Sequence, residues 1–321
     1  MIQSFLVSNR NALTAVLLIV GAAWIVQTVC EEPLRIFSFS LPPIVSVLAA
    51  LALCSAAAYL LAELDNAFAL VRVSQRVVST RLFVLLASVA HLHTLQPAHL
   101  CVLCAVLLFF PLFHGYQAPQ LTVMPYLAGL VVGLASLVLS SALFLLIPLW
   151  IAQGMLRAFS FRGWVATVLG VLTPYVWVLT IAYCTDTTDW LLIAAADWLR
   201  MLLPAFDSFS LRLIGPIGVA LLLCLLGAID IIRNSQGDRT RTRYQNYTVL
   251  LLALWAVLWL LVQPYLADRI LPFLLTPTAI LAAHFLTLSS GRVATILSAV
   301  ALSLLMVVCV LNLVAPVILG G

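Results

Sequence analysis

The sequence predicts an all-α fold, a bundle of about eleven transmembrane helices forming one integral membrane domain over residues 1–321. Hydrophobic residues make up 64% of the chain and charged residues only 8%, which excludes a soluble domain of this length. The mean hydropathy is +1.19. The polar residues collect in short stretches between apolar runs, as they do in multi-pass membrane proteins.

The arginines predict the orientation of this bundle. All 15 basic residues are arginines, and they give the chain a net charge of +4. Most of them lie in short loops near span ends, which is an orientation signal and not a nucleic-acid footprint. The longest polar run, RNSQGDRTRTRYQN at 233–246, predicts a cytoplasmic loop and thereby a cytoplasmic N-terminus. The predicted cytoplasmic anchors are Arg72, Arg76, Arg81, Arg157, Arg162, Arg233, Arg239, Arg241 and Arg243.

The first elements follow from their length and polarity. Residues 11–30 are long enough for a first span, which is retained because no Ala-x-Ala cleavage site follows it. Glu31 and Glu32 then stand in a short outer loop before the span 41–62. The segment at about 64–81 carries arginines at helical spacing among apolar residues, which predicts a helix along the inner membrane surface.

The middle of the chain is harder to divide into spans. Two short apolar runs, 82–95 and 98–114, predict either a tight helix hairpin or a re-entrant pair. The run 124–154 is long enough for one tilted span or two short ones. A turn near Ser140 and Ser141 keeps Arg157, Arg162 and the loop 233–246 cytoplasmic, so two short legs are predicted.

The remaining apolar runs predict single spans at 164–183, 211–232, 248–262, 271–288 and 293–313. An outer segment at about 187–203 lies between the first two of these spans. Its aspartates and tryptophans fall on opposite faces, which predicts a second interfacial helix.

A small-xxx-small pattern marks one predicted helix. Gly129, Gly133, Ser136 and Ser140 lie on one helical face, where small side chains let a second helix approach closely. Packing within the chain is the commoner use of such a face, and homodimerisation is the alternative. The spacing alone fits both, so the oligomeric state stays open.

Carboxylates on the predicted outer side are the first candidate for a chemical site. Glu31 and Glu32 are adjacent, and the later outer segment carries Asp186, Asp189, Asp197 and Asp207. Carboxylates there can act as a general base or hold a divalent cation on a phosphate-bearing lipid. The alternative is that Glu31 and Glu32 only end a helix in water.

The stretch HLHTLQPAHLCVLC supplies a second candidate, a metal site. Cys101 and Cys104 are three residues apart and share a helical face, and His99 would complete a set of ligands suited to zinc or copper. The alternative is that the cysteines are small apolar core residues, because structural zinc pairs usually sit on turns.

A third candidate is His284, the lone histidine of a late span, with Asp230 near the inner end of another. A histidine at membrane depth can relay protons or serve an acyl transfer. The alternative is a hydrogen-bonded packing residue, and the sequence shows no partner for it.

Three function classes fit these residues. The sequence has no phosphate-binding glycine loop, no HExxH and no nucleophile elbow. A non-catalytic accessory or scaffold protein of an envelope assembly is therefore the leading expectation, with a lipid-linked sugar transferase and a transporter of a small or lipid-like substrate as alternatives. The expected partners are the lipid bilayer and an envelope membrane protein, with no nucleic acid and no cofactor.

Several motifs between about residues 63 and 175 carry a resemblance to a known family. They are RVSQRVVSTRLFVLLASV, LQPAH, PLFHGYQ, GLASLVLSSALFLLIPLW and RAFSFRGWVATVLGVLTPY. These motifs resemble an uncharacterised family of bacterial multi-spanning inner-membrane proteins, which implies that location and no assigned activity.

The order of parts more distantly resembles the membrane module of polyprenol-phosphate-dependent glycosyltransferases of the GT-C kind. The shared order is an acidic first outer loop, an inner interfacial helix and then short spans. This resemblance implies a catalytic carboxylate at Glu31 or Glu32 and a polyprenyl-phosphate-linked sugar as donor.

Overall fold

The computed structural model describes most of the chain between the second span and the late helices. Glu31, Glu32 and Arg72 lie outside the described residues, as does most of the predicted interfacial helix at 187–203. The described residues are 24, 34–36, 39–70, 76–186, 195, 198–200, 213–234, 239–288, 296–297, 300, 303–304 and 307–308.

The described chain is helical apart from one short hairpin, in agreement with the predicted all-α class. Strands β1 (Leu34–Ile36) and β2 (Phe39–Leu41) pair antiparallel ahead of the first long helix. The α-helices are α1 (Pro43–Phe68), α2 (Arg76–Ala87), α3 (Ala98–Leu107), α4 (Phe109–His114), α5 (Val123–Val138), α6 (Leu146–Met155), α7 (Phe161–Cys184), α8 (Ile214–Asn234), α9 (Thr240–Val262) and α10 (Ala267–Leu288). Short 3₁₀ helices cover Ala90–His93, Ser140–Leu145 and Pro264–Leu266.

Five of these helices are long and apolar enough to cross a membrane, which fits an integral membrane protein. The predicted count of about eleven spans is not confirmed, because the apolar helical segments in the middle of the described chain have only 10–17 residues. The five candidate spans are Ile44–Phe68, Phe161–Cys184, Ile214–Arg233, Thr240–Val262 and Pro264–Phe285.

Two polar segments differ from the sequence-based boundaries. The predicted inner surface helix at 64–81 is divided, since α1 continues to Phe68 and α2 begins at Arg76. Ala69 ends α1 in the left-handed conformation, with φ 48°, and its N–H donates to the carbonyl of Asp65. The predicted loop at 233–246 is much shorter, because α8 extends to Asn234 and α9 already begins at Thr240.

The chain reverses direction near Ser140, as the arginine distribution predicts. Helix α5 ends at Val138, the 3₁₀ segment Ser140–Leu145 follows, and α6 carries the chain back. The backbone N–H of Gln117, just before α5, donates to the carbonyl of Leu156, just after α6, at 3.0 Å. Both ends of this hairpin therefore lie at the same end of the bundle.

That end carries most of the described arginines and is called the arginine end. Arg241, in the first turn of α9, lies 5.7 Å from the centroid of the Tyr116 ring, which joins the start of α9 to the start of the hairpin. The described arginines outside α2 at this end are Arg157, Arg162, Arg233, Arg239, Arg241 and Arg243.

Separate contacts hold the opposite end together. The N–H of Leu95 donates to the hydroxyl of Ser46 at 2.9 Å, which ties the start of α3 to the start of α1. Arg269, in the first turn of α10, donates to the carbonyl of Val138 at 3.0 Å. The chain thus runs between two ends that are each fixed by polar contacts.

Helix α10 forms the centre of the bundle. In the candidate span Pro264–Phe285, 89% of the apolar stretch is buried. The same share is only 28–50% in the other candidate spans, which expose large apolar side chains. Helix α10 packs against α8, α9, α2 and α3. A helix that is apolar and covered on all sides belongs to the core of a bundle, while the outer helices present one face to lipid.

Candidate functional site

The candidate metal ligands do not come together as a site. The ring of His99 contacts backbone carbonyls with both nitrogens, Nδ1 with Gln96 at 3.0 Å and Nε2 with Leu92 at 3.1 Å. Cys101 and Cys104 are buried in the apolar core. Within the described ranges, no group of three His, Cys, Asp or Glu side chains is placed to hold a metal ion. His99 therefore stabilises the turn before α3.

The small-residue face of α5 packs against α7. A Cβ added at Gly129 would lie 2.1 Å from the carbonyl oxygen of Thr167, and one at Gly133 would lie 2.7 Å from that of Val171. Ser136 continues the contact through a 2.5 Å hydrogen bond with the Tyr175 hydroxyl. These partners advance in the same direction along both helices, so α5 and α7 are parallel. Ser140 lies beyond this face, in the 3₁₀ segment.

The most distinctive polar contact inside the spans joins α8 to α10. The Nδ1 atom of His284 lies 2.8 Å from Oδ2 of Asp230. The two side chains are only 3% and 7% exposed, so the contact is shielded from solvent and lipid. An aspartate at this depth is costly unless it is paired or used, which makes the pair the leading candidate site.

Glycine packing brings these two side chains together. Three residues before the pair on each helix, a Cβ on Gly227 would lie 2.6 Å from backbone and side-chain atoms of Leu281. The contacts keep one register along parallel helices, because residues three apart share neighbouring faces.

Two buried amides lie at a similar depth on α9. The rings of Trp259 and Phe273 are 5.5 Å apart and set the antiparallel register of α9 and α10. Helix geometry in that register places His284 about level with Thr248, and hence about half a turn from Asn246. Asp230, His284, Gln245 and Asn246 are called the polar layer.

The amides of the polar layer have unmet hydrogen-bonding capacity. Gln245 and Asn246 are 0% and 1% exposed, and no residue in the described part of the chain bonds the oxygen or nitrogen of either side chain. A buried amide without a partner costs about 1–3 kcal/mol, so such groups usually hold ordered water or a ligand. The two amides can therefore hold water at about the depth of the His284–Asp230 pair.

The chemistry of the pair is that of a proton site. In the tautomer with a proton on Nδ1, the ring donates that N–H to the Asp230 carboxylate oxygen. A proton that arrives at or leaves the pair would change the charge held between α8 and α10, and charge is expensive in a low-dielectric interior.

Comparison with known proteins identifies no relative. No protein-family model matches the chain, and neither a curated protein nor a solved structure does so. The predicted resemblances to the uncharacterised inner-membrane family and to the GT-C membrane module therefore stay predictions.

Sequence reasoning found the two members of the pair but not their contact. Asp230 and His284 each lie four residues before the end of a helix, α8 at Asn234 and α10 at Leu288, which is the one signal that relates them. Gln245 and Asn246 were missed, because the polar run around them predicts a loop. Their burial depends on the early start of α9 at Thr240.

Proposed function

We propose that this chain is a proton-binding integral membrane protein of the transporter class, with the arginine end on the cytoplasmic side of a bacterial inner membrane. The observation that carries the proposal is the buried 2.8 Å contact between His284 and Asp230. Histidine changes charge near physiological pH, and ionisable groups inside spans mark proton or ion pathways.

In this proposal the proton reaches the pair from the arginine end. Asn246 lies six residues into α9, so about 9 Å of helix separates it from Thr240 at that end. Water held by Gln245 and Asn246 would connect the pair with this surface. The cytoplasmic placement of the arginine end follows the positive-inside tendency.

The other two function classes explain less of the described structure. A scaffold needs only packed helices, and the His284–Asp230 pair would then be a latch, that is, a structural contact that only holds α8 against α10. A glycosyltransferase rests on Glu31 or Glu32, which lie outside the described residues. An experiment on the pair must therefore distinguish the transporter proposal from the scaffold hypothesis.

Replacing Asp230 with asparagine is expected to slow proton entry at least about tenfold, since the amide keeps the shape but binds no proton. The purified protein is reconstituted in vesicles containing a pH-sensitive dye, and the internal pH is followed after an external acid jump. His284→Gln should give the same loss, because both residues form one site.

Asp268→Asn is the matched control. It removes a carboxylate from the first turn of the same helix, α10, at the opposite end of the bundle. It should leave the rate unchanged. If folded Asp230→Asn protein and wild type acidify the vesicles equally, and no faster than empty vesicles, the pair is a latch and the transporter proposal fails.

A further inference from the structure

Three buried side-chain amides lie near the arginine end, one on α6 and two on α9. Gln153 lies two residues before the end of α6 and is 3% exposed, and Gln245 and Asn246 lie in the second turn of α9. The two helices pack against each other and run in opposite directions, since α6 ends and α9 begins at the arginine end. Gln153, Gln245 and Asn246 are called the amide cluster.

The two glutamines of the amide cluster each lie one helical turn below the same short segment of chain. Arg241 lies 5.7 Å from the centroid of the Tyr116 ring, and the N–H of the following residue donates to the carbonyl of Leu156. On α9, Gln245 comes four residues after Arg241. On α6, Gln153 comes three residues before Leu156. Residues at these spacings share a helical face, so both glutamines lie about 5 Å deeper than this segment, at a similar depth.

The amide cluster has five buried polar atoms that no residue in the described ranges bonds. They are the oxygen of Gln153 and the oxygen and nitrogen of both Gln245 and Asn246. The nitrogen of Gln153 donates to the hydroxyl of Thr167 at 3.4 Å, which holds this side chain against α7 and leaves its oxygen over. Buried polar groups nearly always find a partner, so three such amides on two neighbouring helices indicate a bound molecule.

The amides determine the chemistry that such a molecule needs. Each one presents an acceptor and a donor side by side, so its best partner offers a donor and an acceptor at the same spacing. Carboxamide and urea groups have this arrangement, as does the edge of adenine that asparagine and glutamine bind in pairs of hydrogen bonds. A carboxylate would bring no donor to the amide oxygens, and an ammonium group would leave the amide nitrogens unpaired.

The burial of the amide cluster favours an uncharged molecule. None of its three side chains is ionisable, and all three are almost fully buried. An ion at this depth would lose hydration that neutral dipoles replace only in part. A neutral molecule avoids that cost and can still satisfy both the donors and the acceptors.

We propose that the amide cluster binds a small uncharged molecule with a carboxamide or urea group, and that such molecules are the substrate class of the transporter. The substrate role rests on the proposed function, whereas binding itself needs only the three amides. The site also differs from the His284–Asp230 pair in its chemistry, since it takes no proton.

Saturation-transfer difference NMR of the full-length protein in detergent micelles, with acetamide as the probe, tests this site. A probe of this size is expected to bind with a Kd of about 0.1–1 mM. Asn246→Leu and Gln245→Leu should each weaken binding at least about tenfold, because they remove a donor and an acceptor. Gln120→Leu is the matched control, since Gln120 is exposed at the arginine end and lies outside the amide cluster. It should leave the affinity unchanged.

The leucine variants are expected to fold, because each removes an unpaired polar group from a buried position. Gln153→Met on α6 should weaken binding as well, so the result does not depend on a variant of α9. Urea should displace acetamide from the wild type, and acetate should not. The absence of saturation transfer to acetamide, equal affinity in the wild type and these variants, or equal displacement by acetate would overturn the proposal.

This measurement needs neither a membrane nor a pH gradient, so it is separate from the proton-entry assay. Proton entry that depends on Asp230, together with no acetamide binding, would refute the amide site and leave the proton function standing. Acetamide binding without proton entry that depends on Asp230 would refute the proton function and with it the substrate role, but not the binding site.

Discussion

Gly129→Ala is expected to lower the free energy of unfolding by about 3 kcal/mol. The new Cβ would stand 2.1 Å from the carbonyl oxygen of Thr167, and the nearest atoms are all backbone. No side-chain rotation relieves this overlap, so α5 and α7 must separate along their parallel contact. Unfolding of the purified protein in mixed micelles with increasing sodium dodecyl sulfate measures the loss.

Gly154→Ala provides the comparison. Gly154 lies in α6, and a Cβ there would meet nothing within 4 Å. Alanine loses less backbone entropy in a helix than glycine, so this variant should be unchanged or more stable by about 0.5–1 kcal/mol. Equal destabilisation by the two substitutions would mean that the tight α5–α7 contact is not what Gly129 provides.

Asp230→Ala is expected to destabilise the protein by about 2–3 kcal/mol. Hydrogen bonds between transmembrane helices contribute about 0.6 kcal/mol on average and up to about 1.7 kcal/mol. The contact here involves a charged and almost fully buried carboxylate, and breaking such a pair from one side costs about 3–5 kcal/mol. An intermediate value is expected, because the substitution removes the buried carboxylate itself and leaves behind only an imidazole N–H without its acceptor.

A double-mutant cycle with His284→Ala separates the pair from its surroundings. The double variant should be destabilised by less than the sum of the single variants, since the second substitution removes an already broken contact. Thr276→Val is the control on the same helix, because its hydroxyl only donates to the carbonyl of Pro272 one turn before. Additive losses in the cycle would contradict an energetic link between Asp230 and His284.

The apolar parts of the long helices are predictable from the sequence, and their ends are not. The run at 164–183 predicts α7 almost to its observed limits, Phe161–Cys184. Hydropathy does not predict the start of α9: the apolar run predicts a span from 248, whereas the helix begins at Thr240. Polar residues such as Arg241 remain helical there, because a helix that leaves the membrane keeps its backbone hydrogen bonds in water.

The candidate site depends on relations that a single sequence does not contain. Asp230 meets His284 only because Gly227 lets α8 approach α10 at Leu281. A glycine in a span indicates that some helix comes close, but not which helix or in which register. His99 shows the same limit, since its role depends on a carbonyl of the preceding 3₁₀ segment at Leu92.

The parallel packing of α5 on α7 has a consequence for biosynthesis. The two helices are separated in the chain by α6, which runs back between their ends. When α5 enters the bilayer, the residues that will cover Gly129 and Gly133 have not yet followed it into the membrane. The close contact forms only after Val171 has followed, so α5 must wait in the membrane with its small-residue face covered by lipid or by the insertion machinery.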